Sequence, residues 1–253
     1  MTPNRIFDWA ARVWRASTLG IPYIRASTFK TPSRIRGRDG WIPISMPRLS
    51  NSSGIRADAH GIFVRDMYYC RKIGACVQYV IDIGANIGLF SIYARALWPD
   101  AIIHGYEPQP EAWPWLSRNY VTIHGTWYPE AVGLERGWCV IEKDCNGLTN
   151  QARTMSSKKA ASATPKVSLA EAIQRIGGKV DVLKLDCEGA EWEILKDRDS
   201  LSQVTWICME YHFWALESPE NGPNYLIDMI GAQFKICAGS VSGSYGTILA
   251  KRI

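Results

Sequence analysis

What the 253-residue sequence lacks narrows its reading first. No apolar run approaches the roughly 20 residues that span a bilayer, and the amino terminus has no uninterrupted apolar signal core. A cytoplasmic location is the expectation. A disulfide or zinc frame is missing too: the seven cysteines, Cys70, Cys76, Cys139, Cys145, Cys187, Cys208 and Cys237, are odd in number and include no C-x-x-C pair. Several lie in apolar runs and read as reduced core residues. There is no internal repeat, and the Gly-x-Gly-x-x-Gly sequence that holds a dinucleotide pyrophosphate does not occur. The length suits one large α/β domain with a full core and a small appendage.

Net charge is modest, at +5, but it is unevenly spread. Residues 1–60 hold Arg5, Arg12, Arg15, Arg25, Lys30, Arg34, Arg36, Arg38, Arg48 and Arg56 against Asp8, Asp39 and Asp58, a surplus of seven. Such a surplus suits an anionic partner, or is only a solvated extension. Within it, Ile6, Phe7, Ala10, Val13 and Trp14 fall on one helical face. This short amphipathic helix would lie on a membrane through residues 1–16, pack on its own domain, or meet a twin subunit in a homodimer. Residues 17–55, with Pro22, Pro32, Pro43 and Pro47, predict irregular structure that wraps the core or covers its active face. The expected division is an extension over 1–59 and an α/β domain over 60–253.

The rest is organised around Tyr79–Phe90. Val80, Ile81 and Ile83 make the short apolar run of a strand buried on both faces, and Leu89, Phe90, Ile92 and Tyr93 resume at helical spacing. Between them Gly84 and Gly88 let the backbone bend toward a ligand. A strand, a glycine turn and a helix start form the nucleotide corner of a doubly wound fold. Position 86 is Asn, however, and Asp82 would project where a pyrophosphate must pass. A carboxylate repels that anion and tolerates a sulfonium, which favours S-adenosyl-L-methionine over NAD. Glu107, ending the next apolar strand, is placed to take ribose hydroxyls.

Along the chain, His60–Asp66 reads as a short strand leading to a lid at Met67-Tyr68-Tyr69. The helix from Leu89 stops near Leu97 at Pro99, and a second strand turns through Pro108-Gln109-Pro110 into a helix near Trp113. Thr126–Tyr128 predicts a third strand, Ala131–Gly133 a loop and Gly137–Glu142 a further strand. Residues 145–165 read as a polar loop. Ser168 and Glu171 have capping-box spacing and open a helix ending at Gly177-Gly178. Strands at Lys179–Asp186 and Val204–His212 follow, each with a helix behind it, and a hairpin of Gln233–Cys237 with Tyr245–Ala250 closes the chain.

Transfer to a hydroxyl needs positioning and a group to remove the proton. Alternation puts Lys184 and Asp186 on one strand face, and a buried lysine there should pair with a carboxylate such as Asp186, Glu188 or Glu210. Asp186 and Glu188 sit at the strand's ligand end, with Glu191 expected mainly to cap the helix at Gly189 or balance Lys184. On the neighbouring strand Glu210 and His212 reach the same edge. His212, near its ordinary pKa, would serve as general base, or is a histidine fixed within the sheet. Asp186, Glu210 and His212 holding a divalent metal is a further alternative, although no metal is expected. His60, His104 and His124 read as structural.

At Asp82–Gly88, Tyr106–Pro110, the Lys-x-Asp-x-Glu-Gly-x-Glu run ending at Glu191, and Met209–His212, the chain resembles the FkbM family of S-adenosylmethionine-dependent methyltransferases. The resemblance spans roughly residues 60–250. It implies a Rossmann-like class I fold, a mostly parallel seven-stranded sheet with a carboxyl-terminal antiparallel hairpin. It also implies O-methylation of a sugar, glycolipid, oligosaccharide or polyketide-type hydroxyl. Asp82, Gly84, Asn86, Gly88, Glu107, Pro108, Ala131 and Asp186 are the expected cofactor residues, with Lys184, Asp186, Glu210 and His212 catalytic. Alternatives are an RNA methyltransferase using the basic extension on phosphates, an NAD-dependent dehydrogenase, and a non-catalytic binding protein. No aromatic and basic residues interleave as in RNA motifs, so no nucleic-acid partner is expected.

Overall fold

Val80 and Ile81 point to opposite sides of their strand, as successive strand residues must, and each side has its own helical layer. The computed structural model describes residues 3–47, 53–141, 163–216, 218 and 221–253. It begins with helix α1 (Pro3–Thr18), the strands β1 (Arg34–Gly37) and β2 (Gly40–Pro43), and α2 (Ser53–Ala59), which runs into a π-helical turn at His60–Arg65. Next come β3 (Tyr79–Ile83), α3 (Leu89–Leu97), β4 (Ile102–Tyr106), α4 (Trp113–Thr122), β5 (Thr126–Tyr128), β6 (Ala131–Gly133), β7 (Gly137–Cys139) and β8 (Thr164–Ser168). The chain closes with α5 (Leu169–Ile176), β9 (Val180–Leu185), α6 (Glu191–Ile194), α7 (Arg198–Leu201), β10 (Val204–His212), α8 (Gly222–Gly231), β11 (Phe234–Gly239) and β12 (Tyr245–Arg252).

Seven strands form the main sheet in the order β11-β12-β10-β9-β3-β4-β5. From β10 to β5 all neighbours are parallel; β12 is antiparallel to both β10 and β11. This is the expected Rossmann-like class I arrangement with its closing hairpin. The reversal between β3 and β9 opens the crevice in which doubly wound sheets bind ligands.

One face of the sheet, through Val80, Ile103, Val182 and Cys208, packs on α3, α4 and residues of the first sixty, including Ala16, Leu19, Phe29, Ile35 and Ile55. The other face, through Ile81, Leu183 and Ile207, packs on α5, α6 and α8. The amino-terminal residues therefore share a core with the sheet, and 59/60 is no boundary in the packing. Ser168 caps α5 as expected: its Oγ accepts from Glu171 N while its own N–H donates to the Glu171 carboxylate. Gly177, at φ 115°, ends that helix in the left-handed region.

Several local expectations are corrected. Residues 17–55 hold a hairpin, paired from Arg34↔Pro43 to Gly37↔Gly40. The stretch His60–Asp66 is not a strand: His60–Arg65 is a π-helical turn that buries Gly61, Ile62, Phe63 and Val64 and packs on α1 and α2. Ala131–Gly133, read as a loop, pairs in parallel with β8 in a separate three-stranded sheet. Most of 145–165 lies outside the described residues, but Thr164 and Pro165 belong to a strand. Cys145 is outside too; the other six cysteines are free.

Candidate active site

β3 ends at Ile83, and the next turn is forced by proximity. At Gly84 (φ 74°) a Cβ would stand 1.8 Å from the Asp186 carbonyl oxygen, so only glycine lets β3 and β9 converge here. Asn86 continues in the left-handed region at φ 48°, which asparagine tolerates better than most side chains. The turn is held from the next strand, since the amides of Gly84 and Ala85 both donate to the Tyr106 carbonyl at 3.0 Å. Glu107 reaches back to the same turn, accepting from Asn86 N at 2.7 Å and Gln109 N at 2.9 Å. Burial pushes its carboxyl up to about 7, with those two amides opposing.

Two expected cofactor residues, Asp82 and Gly88, lie behind the cavity lining. Asp82 is fully buried, paired with Lys184 and bonded by Ser91 Oγ at 2.7 Å, and is absent from the cavity lining. Its carboxylate is turned to Lys184, which the register places opposite it on β9. Gly88 is also absent from the lining; it starts α3 and faces Leu116, Tyr120 and Asn119 of α4.

Three cavities adjoin as lobes, and Gly84 lines all of them. An apolar lobe is lined by Ile83, Tyr106, Pro108, Ala131, Val132 and Ala190. Gly84, Pro108 and Cys187 connect it to a central lobe of about 990 Å³, open mouth included. Asn86, Glu107, Asp186, Glu188, Glu210 and His212 line the central lobe, together with Gly54, Ile55 and Asp58 of α2. A third lobe adds Ile62, Met67, Tyr68 and Lys184. The structure thus brings Gly84, Asn86, Glu107, Pro108, Ala131, Lys184, Asp186, Glu210 and His212 around one space.

Acid crowding sets the electrostatics. Asp186 accepts from the Tyr68 hydroxyl at 2.6 Å and lies 3.6 Å from Lys184 Nζ. Lys184 also donates to the Gly84 carbonyl at 2.6 Å. Burial opposes its charge, but Asp82 and Asp186 outweigh burial and raise its pKa. Glu188 is pushed to about 7 by burial, with His212 opposing. Glu210 rises to about 8 through burial and the nearby Asp186 charge, and Asp58 to about 6 for the same two reasons.

His212 departs from the expected ordinary imidazole. Burial disfavours its charge, but the Glu191 hydrogen bond at 3.1 Å and the charges of Glu191, Glu188 and Asp186 win, raising it to about 9. At neutral pH the ring carries both protons. Glu191 also accepts from Cys187 N and Gly189 N, so it caps that turn as expected, and it makes no contact with Lys184. One donor atom each from Asp186, Glu188 and His212 lie within 4.8 Å of one another, so among the described residues these three could hold a cation.

Asp58 and Tyr68 escaped the sequence reading. Asp58 sits in α2, a helix the sequence reading leaves unassigned, and its one signal is the Ile55/Asp58 spacing that puts both on one helical face. Tyr68 lay in the expected lid, but its bond to Asp186 spans 118 positions and leaves no local trace.

Known proteins bear on this site. The model of the Methyltransferase FkbM domain matches residues 82–232. Methyltransferase sdnD of Sordaria araneosa is 27% identical over 159 residues, covering 48% of this chain and 60% of that protein. Methyltransferase 1 of Beauveria bassiana (strain ARSEF 2860) is 24% identical over 149 residues, covering 48% and 59%. The alignments thus span about three fifths of these relatives. Among solved structures, a precorrin-6y C5,15-methyltransferase from Geobacter metallireducens GS-15 superposes at TM-score 0.44 with 15% identity, covering 74% of this chain and 86% of that one. An rRNA methylase from Streptococcus thermophilus does so at 0.45 with 6% identity, covering 75% and 95%. The fold assignment rests on the strand order, and the family match covers the glycine turn, Glu107, Asp186 and the β10 edge: the chain belongs to the FkbM methyltransferase family.

Proposed function

We propose that the chain transfers a methyl group from S-adenosyl-L-methionine to a hydroxyl of a small molecule, such as a sugar, glycolipid or oligosaccharide, or polyketide-type product. The observation carrying this is the wall of Asp58, Asp186, Glu188 and Glu210 facing a cavity that begins at the Gly84 turn. When bound, the donor supplies an electrophilic methyl on a positively charged sulfur, and an acidic wall suits that charge. The residues fit it: the apolar lobe suits an adenine, Glu107 stands beside it, and Asn86 Oδ1 is a buried acceptor with no protein partner among the described residues.

The chain's own groups divide the remaining work. Glu210 is the proton acceptor for the hydroxyl, because a carboxyl raised to about 8 is more basic than an ordinary one when ionised. His212, read from the sequence as the base, already holds its proton at neutral pH, and its positive ring steadies Glu188, 3.6 Å from Nε2. Lys184 and Tyr68 fix Asp186 from two sides. Incubation with labelled S-adenosyl-L-methionine and a panel of polyols, sugars and phenols, followed by mass spectrometry, tests this. An O-methylated product is expected; methyl on nitrogen or carbon alone, or no binding of the donor in calorimetry, contradicts it.

A further inference from the structure

Helix α1 packs with its apolar stripe outward. The side toward the domain carries Arg15, whose guanidinium donates to the carbonyls of Val64 and Arg65, and Ala16, which is fully buried. The other side carries Ile6, Phe7 and Trp14, which are 49%, 74% and 58% exposed. A helix that serves only its own domain turns that stripe to the core. The apolar surface continues beyond the helix. Trp9 Nε1 donates to the Ile24 carbonyl, and the Ile24 side chain stands in solvent. Trp41, also exposed, lies so close to the end of α1 that a Cβ on Gly20 would meet its ring at 2.4 Å.

Charge selects the occupant. The first sixty residues carry the surplus of seven positive charges. Arg25, Lys30, Arg34 and Arg36 are exposed and have no carboxylate partner among the described residues, whereas Asp8 and Asp39 are engaged by Arg12 and Arg38. Arg34 and Arg36 flank the Trp41 ring at 4.4 and 5.4 Å. A second copy of this face would bring like charges together. An anionic bilayer offers both an apolar interior for Phe, Ile and Trp and negative headgroups for Arg. We propose that this face seats the protein on an anionic membrane surface, with Ile6, Phe7, Trp14 and Ile24 entering the headgroup boundary and Arg25, Arg34 and Arg36 meeting the headgroups. The seat adjoins the site, since α1 packs on the His60–Arg65 turn whose Ile62 lines the cavity.

Co-sedimentation of the full chain with phosphatidylcholine vesicles, with and without phosphatidylserine, tests this. Partition onto the anionic vesicles should be roughly tenfold stronger and should weaken with salt. Phe7→Glu with Ile24→Glu, and separately Arg34→Glu with Arg36→Glu, should each lower it about tenfold, with circular dichroism and melting unchanged. Brominated acyl chains should quench tryptophan emission of the unsubstituted chain, a readout that needs no variant to fold. Equal partition on both vesicles, absence of quenching, or a folded double variant that binds like the parent overturns the proposal. So does a solution dimer that Phe7→Glu with Ile24→Glu turns into a monomer without vesicle binding, because a second copy then covers the face.

Discussion

Lys184 Nζ lies 3.1 Å from Asp82 Oδ1, and the two residues are 3% and 0% exposed at paired positions of adjacent parallel strands. Each charge is tolerated there because of the other. Removing one partner strands the other in a dry interior, so Lys184→Ala should cost about 3–5 kcal/mol in denaturant unfolding. The double variant Asp82→Asn with Lys184→Met should lose less than the single lysine change. A loss in Lys184→Ala no greater than at an exposed lysine would show that the pair is not sealed.

Glu210 lines both the central and third lobes. Glu210→Gln keeps the shape but removes the basic oxygen, and should lower kcat by roughly 100-fold or more while leaving calorimetric affinity for the methyl donor nearly intact. In the parent, kcat/KM should rise with pH through about 8, where Glu210 ionises, and that limb should vanish in the variant. An unchanged profile would move the proton transfer to another group.

Glu191 sets the state of His212. In Glu191→Gln the hydrogen bond at Nδ1 persists without its charge, so the His212 pKa should fall from about 9 toward the ordinary 6.5. Nuclear magnetic resonance titration of the four histidines reads this directly. A value held near 9 would assign the shift to Glu188 and Asp186 instead.

Stability should fall with rising pH. Glu107, Glu188 and Glu210 move from an ordinary 4.5 to about 7, 7 and 8, and His212 from 6.5 to about 9. All four pKa values are raised by folding. Their stabilising contribution is therefore complete below the ordinary values and is lost as pH climbs through the folded ones. Melting temperature should decline between about pH 4.5 and 9, and Glu210→Gln should flatten part of that decline.

Chelation separates metal chemistry from proton chemistry at Asp186, Glu188 and His212. A cation there would have to displace a proton from His212, whose Nδ1 is bonded to Glu191. Turnover should stay within about twofold in excess chelator if, as proposed, side chains remove the proton. Loss of activity that magnesium or manganese restores would give the cluster a metal.

Features made by neighbours in the chain could be read directly from the residues. The Ser168/Glu171 box needs only three intervening positions, the alternation of Val80, Ile81 and Ile83 follows from strand geometry, and Pro99 ends α3. Long-range features could not. The partner of Lys184 was sought among Asp186, Glu188 and Glu210 but proved also to be Asp82, which only the β3–β9 register places opposite. The proton on His212 depends on Glu191, 21 residues away. The π-helical turn overrode the strand suggested by Ile62, Phe63 and Val64, because α1 and α2 cover that segment.

Asp58 enters the cavity from α2, while Leu19, Phe29 and Ile35 lie in one core with Val80 and Phe90. Trimming the chain to the stretch shared with its relatives would thus amputate part of the cavity wall and uncover part of one face of the sheet. Grafts, swaps and minimal versions of this protein have to carry the leading sixty residues with the rest, even though the family signature begins at residue 82.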